Sequence, residues 1–181
     1  MSKEPILRGY RAIGNQWWSG DTKQSFWMEL VNVEEWGSTL VAPELPRHAL
    51  MYDVKPGDTV FHWIGKNNPQ RLRSGMYGYS KVAGVLEPGV GEWLGKPANV
   101  IRLAKCRKLD YPLYLESLRS YSEEILAVLD DLKSSTKQAP HFPFQNHPTA
   151  GLKPNQRYLS KFPARLLEIV PELSPDRAGG G

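Results

Sequence analysis

Cysteine is nearly missing from this 181-residue chain: Cys106 stands alone. No disulfide can form within the chain, and no cysteine-based metal site exists. There is no run of 18 apolar residues and no apolar leader at the start. A membrane span and a secretory signal are therefore not expected, and a soluble cytoplasmic protein is the default. Acidic residues are absent from two long stretches. Residues 59–86 carry only cations, Lys66, Arg71, Arg73 and Lys81, and residues 139–167 carry Lys153, Arg157, Lys161 and Arg165 with His141 and His147. The motifs G-x-S-x-G, GxxxxGK[ST] and HExxH are lacking too. The enzyme classes these motifs mark have no support, so the chain is read as a non-enzyme without a cofactor or metal.

What is present suits one domain with a proper core. The formal charge is +4 and the pI about 9.1, mild values that hide an uneven distribution. The acids gather elsewhere, notably at Asp110, Glu116, Glu123, Glu124, Asp130 and Asp131. A molecule with one basic and one acidic side suits a polyanion such as nucleic acid, although chance placement would look the same.

The organising stretch is 25–39, SFWMELVNVEEWGST. Its first part alternates as a strand, with Phe26, Met28 and Leu30 on one face and Trp27, Glu29 and Val31 on the other. Asn32 ends the pattern. Trp36 follows, then the small residues Gly37, Ser38 and Thr39. Two readings compete for this turn. Trp36 is a packed core indole and Asn32 a turn cap, or the indole stacks on a flat polar ligand whose edge the amide reads.

Residues 43–52 read as a short helix, and Lys55-Pro56-Gly57-Asp58 as a turn. TVFHWI (59–64) is a strand, 65–75 a polar loop with three cations, and 76–86 the return strand, in which Gly78 and Gly84 mark places without room for bulk. His62 has no second ligand nearby at metal spacing. Trp93 sits in a Gly- and Pro-flanked loop, an odd place for a core indole, and 99–106 alternates as a strand. Residues 111–133 have helical periodicity, with Ser120-x-x-Glu123 as a possible capping box. Residues 139–155 read as irregular, and 162–169 as a closing helix. The expected organisation is an N-terminal arm over 1–24 packed on a domain of 25–173, with a helical insertion at about 111–137 and a disordered tail over 174–181.

The order of these parts resembles the EVE domain and its relative the YTH domain, within the PUA-like superfamily. The resemblance spans roughly 25–170 and rests on SFWMELVN, EEWGSTLVAPEL, KPGDTVFHWI, GMYGYSKVAGV, NVIRLAKC and LKPNQRYLSKFPARLLEIV. It implies an α+β fold, a small curved mixed sheet or barrel flanked by helices. It also implies a pocket that takes one modified base, flipped out of the helix, in an aromatic cage. Trp36 and Trp93 then correspond to cage walls, Asn32 to the ring-edge reader, and Gly37 and Ser38 to sources of backbone groups. Trp63 and Tyr79 are weaker candidates for the floor. Lys153 matches a phosphate-contact position, and Lys66, Arg71, Arg73, Arg157 and Lys161 complete a cationic set. An extra glycine between Trp36 and Ser38 departs from the YTH pattern.

The implied function is recognition of methylated or hydroxymethylated cytosine, or N6-methyladenine, in DNA. The implied setting is a bacterial modification-dependent restriction system with a separate nuclease domain or subunit and no membrane partner. The alternative is an RNA-binding reader or RNA-processing accessory. A third reading is a hydrolase using the same cavity, with His62, Glu29 or His48 as general base, although nothing in the sequence pairs them.

Overall fold

The structure, a computed structural model, describes residues 16–174. All of the expected tail over 174–181 but Ser174, and most of the N-terminal arm, lie outside the described residues. Seven strands form one mixed sheet: β1 (Phe26–Val31), β2 (Thr39–Pro43), β3 (Thr59–Ile64), β4 (Gly75–Val82), β5 (Glu87–Trp93), β6 (Lys96–Tyr114) and β9 (Leu159–Lys161). They run in the order β2-β6-β4-β3-β1-β9, with β5 also paired to β6. Only β1 and β3 pair in parallel, with Glu29 opposite His62. A separate hairpin joins β7 (Phe144–His147) and β8 (Gly151–Pro154).

The 19-residue β6 curls the sheet. Its first part pairs with β2 and β5, its later part with β4. Within the part paired with β4, Lys105 has φ +52° and the β4–β6 register slips between Tyr79 and Lys81. An inserted residue of this kind bends the strand and strengthens its twist. The same strand continues through Tyr111 to Tyr114, where the sequence suggested helix. The pairing of Met76 with Leu113 overrides the helical spacing, and Tyr111 is thrown out to 90% exposure.

Both faces of the central strands are buried, and all six residues of β3 are sealed. One face packs Met28, Phe61, Trp63 and Met76 against Ile125, Val128 and Leu129 of the helix Ser122–Ser134, and against Phe144 and Phe162. The other face, inside the curl, packs Trp27, Leu40, Val60, Val82 and Ile101 with Leu50 and Met51 of the 3₁₀ helix Pro46–Asp53. Trp18 joins this second cluster, and Trp17 packs against both.

Several local expectations need correction. Ser120 does not cap the helix; its hydroxyl donates to the Ser117 carbonyl, and no side chain caps the helix at Tyr121. Residues 144–154 form the β7–β8 hairpin, which buries Phe144 and Leu152 against the core. The closing helix is only Leu166–Ile169. A Cβ on Gly84 would meet nothing nearer than 3.8 Å, so that position does not demand glycine.

Candidate nucleobase pocket

A row of buried polar groups crosses the inner face of the sheet. Glu29 Oε1 lies 2.6 Å from His62 Nδ1, and His62 Nε2 lies 2.7 Å from Ser80 Oγ. Ser80 Oγ is 2.9 Å from the Gly37 carbonyl oxygen. At the other end, the Tyr158 hydroxyl donates to Glu29 Oε2 and accepts from the Val41 N–H. The Tyr158 ring is partly exposed but its hydroxyl is enclosed. Burial first, then the Glu29 carboxylate, hold this phenol well above its ordinary range, so it stays a donor. The row exists because β1, β3 and β4 each turn one polar residue to the same face. Neighbours one position along, such as Met28, Phe61 and Tyr79, turn to the other.

The sequence left Glu29 and His62 unpaired; the parallel register of β1 and β3 pairs them. The order Ser–His–Glu is that of a hydrolytic triad. Here both Ser80 and His62 are 0% exposed, so the hydroxyl has no approach to a substrate in this geometry.

Trp36 lies over this row. Its ring centroid is 5.0 Å from that of His62. It rests on Gly78: a Cβ there would stand 2.8 Å from Trp36 Cη2 and 2.4 Å from the Arg107 carbonyl oxygen. The turn that delivers the indole needs its glycine too. Gly37 has φ +98°, and a Cβ would fall 2.4 Å from Cys106 Sγ.

Trp36 is only half-buried and forms one wall of an open cavity of about 570 Å³. Trp93, 39% exposed, forms another, its ring 5.9 Å from and steeply inclined to that of Tyr158. Trp93 ends β5 just before the Leu94–Gly95 turn, so a strand end and not a free loop holds it. Asn32, Val41, Glu29 and Tyr158 complete most of the wall. Asn32 Oδ1 lies against Gly65, where a Cβ would fall 2.2 Å away. The cavity is mostly apolar with a few polar groups, the usual make-up of a ligand site.

The structure thus brings Asn32, Trp36 and Trp93 to one cavity. It does not bring the other proposed wall residues there. Trp63 is sealed on the opposite face, packed on Phe144 with its Nε1 donating to Ser74 Oγ. Tyr79 is buried on that face as well, against Phe61. The carbonyls of Gly37 and Ser38 are taken by Ser80 Oγ and the Leu103 N–H.

Among the cations, Lys66 and Arg71 are exposed on the β3–β4 loop. Arg73 sits over the Tyr114 ring and pairs with Glu116. Lys153 is half-buried in β8, and exposed Arg157 lies beside His141. Lys161 is 2% exposed, its ammonium over the Trp27 ring and bonded to the Gln24 carbonyl. Burial pulls this amine down to about 8, partly offset by Asp58 and Asp53. That places Lys161 in the interior and not on a phosphate-facing surface.

The sequence reading passed over Lys105, Arg107 and Lys108, all exposed on β6. Lys108 Nζ is 5.8 Å from the Trp36 ring centroid, which sets Lys108 beside the indole at the rim; the three cations do not themselves line the cavity. The signal was the KCRK run itself, 105–108, of which only the first two residues fell in the expected strand. The charged residues that line the cavity, Glu29, Glu35 and Glu92, are all acids, and the cation Lys108 stands beside them at Trp36.

No family model matches the chain, and no curated protein does. Solved structures do. The chain has the EVE/PUA-like architecture, a curled mixed half-barrel with a few helices. It is similar to the N-terminal domain of Staphylothermus marinus McrB, with 15% identity and a TM-score of 0.51 over 83% of this chain and 95% of that one. A protein from Pseudomonas putida gives 12% identity and a TM-score of 0.46 over 81% and 98%. Human THYN1, solved in complex with DNA containing 5-methylcytosine, gives 13% and 0.43 over 83% and 98%. Among the described residues, no helix is long and apolar enough to cross a membrane, and no three metal-ligating side chains cluster.

Proposed function

We propose that this chain is a nucleic-acid-binding module that reads a modified base, methylated or hydroxymethylated cytosine or N6-methyladenine, in DNA. The base leaves the helix and enters the cavity between Trp36 and Trp93. The observation that carries the reading is the convergence of Trp36, Trp93 and Asn32 on one open, largely apolar cavity, with the Lys108 ammonium beside the Trp36 ring.

The energetics are consistent. Extruding a base costs a few kcal/mol, and stacking on an aromatic ring returns about 1–3 kcal/mol per base. A methyl group buried against indole adds only about 0.8 kcal/mol, so selectivity also needs hydrogen bonds to the base edge. Phosphate contacts from Lys105, Arg107 and Lys108, with Lys66 and Arg71, supply affinity that does not depend on sequence. The resemblance to EVE domains supports a setting in a modification-dependent restriction system, with the nuclease on another domain or subunit.

The test is binding of matched duplexes with and without the modification at moderate salt, for wild type and Trp36→Ala. Wild type prefers the modified duplex. The variant loses that preference, roughly tenfold or more in affinity, but keeps salt-dependent nonspecific binding. Equal wild-type affinity for both duplexes refutes the reading, and a preference for single-stranded RNA over duplex DNA moves it to the RNA-reader alternative.

A further inference from the structure

A hydrogen-bonded polar row lies beneath Trp36. Three links join Glu29 to Gly37: Glu29 to His62, His62 to Ser80, and Ser80 to the Gly37 carbonyl. The carbonyl can only accept, so Ser80 donates to it. His62 Nε2 must then donate to Ser80 Oγ. Three links need three hydrogens, one more than a neutral imidazole and a hydroxyl supply. The extra proton lies between His62 Nδ1 and Glu29 Oε1, whichever of the two atoms holds it.

The same count covers Glu29 Oε2. It receives the Tyr158 hydroxyl, which itself accepts from the Val41 N–H. In either position of the shared proton, Oε2 carries no hydrogen and keeps a free lone pair. Glu29 and Tyr158 both line the cavity. What Glu29 offers a ligand there is an acceptor and never a donor.

We infer that Glu29 selects the class of base: its Oε2 accepts an N–H from the exocyclic amine of a cytosine- or adenine-type base. A carbonyl at the same place, as in thymine, uracil or guanine, would set two acceptors against each other in a site already shielded by the protein. A buried acceptor pair without a donor is the kind of mismatch that discriminates strongly. This inference rests on the base-pocket reading above and adds the residue and the chemical group that it recognises.

The cleanest probe is 5-methylcytosine against thymine. The two share the ring and the methyl group and differ at the 4-position and N3. Each is placed opposite an abasic site in the same duplex, which equalises the cost of extrusion, and affinity is read by fluorescence anisotropy. Wild type is expected to bind 5-methylcytosine at least tenfold more tightly than thymine, and N4,N4-dimethylcytosine, which has no amine hydrogen, as weakly as thymine. Glu29→Gln should bring the ratio to about threefold or less.

Because Glu29 is buried, the wild-type ratios decide the matter even if Glu29→Gln fails to fold. A wild type that prefers 5-methylcytosine to cytosine but binds thymine equally well overturns the role of Glu29 and leaves the pocket standing. A wild type indifferent to all of these bases, with Trp36→Ala no different, overturns the pocket itself.

Discussion

Gly78→Ala tests the placement of Trp36 without touching the cavity wall itself. The added methyl would stand 2.8 and 3.0 Å from two carbons of the indole and 2.4 Å from the Arg107 carbonyl oxygen. The indole can swing away; the carbonyl belongs to the paired strand β6 and cannot move alone. Overpacking of this kind costs typically 1–3 kcal/mol, and the backbone contact argues for the upper half of that range. For a domain of this size that is a fall in Tm of roughly 5–10 °C. Displacing the indole also removes its stacking, about 1–3 kcal/mol of base binding, or roughly five- to 150-fold in affinity. The assay is a double-mutant cycle with Trp36→Ala, read by thermal melting and by binding of a modified duplex. In the Trp36→Ala background the side-chain clash is gone, so Gly78→Ala should cost less there by at least about 0.5 kcal/mol and have no further effect on base selectivity. Strict additivity in both readouts, with base affinity unchanged in Gly78→Ala alone, would refute the claim that Trp36 rests on this glycine.

Lys161 gives a pH dependence. Its amine falls from the ordinary 10.5 to about 8 in the folded chain, so between those values the unfolded chain binds more protons and stability rises with pH. The full swing is about 3 kcal/mol; Lys161→Met should flatten denaturation midpoints measured between pH 7.5 and 9.5, and an unchanged slope would refute the burial argument. Lys108→Ala should lower the slope of log affinity against log salt by about 0.9 in duplex binding with little change in base preference. An unaltered salt slope means no phosphate reaches that rim. Tyr158→Phe leaves Glu29 Oε2 and the Val41 N–H without their partner, and should cost about 1–3 kcal/mol in urea unfolding; a neutral result would mean water replaces the hydroxyl.

The strands with clean alternation were legible in the sequence. The boundaries of β1 and β3 follow from FWMELV and TVFHWI, since side chains of period 2 sort themselves onto two faces whatever the neighbours are. The turn at Pro56-Gly57 and the helix ending near Ser134 follow from equally local chemistry. What failed was local in appearance but decided at a distance. Tyr111 to Tyr114 joined a strand because β4 was there to pair with it. Residues 144–154 became a hairpin because Phe144 and Leu152 had a core to enter.

The site divides in the same way. The sequence by itself determined that Trp36 and Asn32 would stand together at the end of one strand, because they are four residues apart across a short turn. It also determined which residues of each strand share a face. Only the tertiary structure decided which face is the cavity. The curl of β6 and the parallel pairing of β1 with β3 set Trp36 above His62, turned Trp63 and Tyr79 to the opposite face, and sealed Lys161 inside. It also joined Glu29, His62 and Ser80, which lie 33 and 18 residues apart, into one hydrogen-bonded row. No spacing along a chain records such a meeting, because strand register is fixed by the burial of whole faces and not by any one residue.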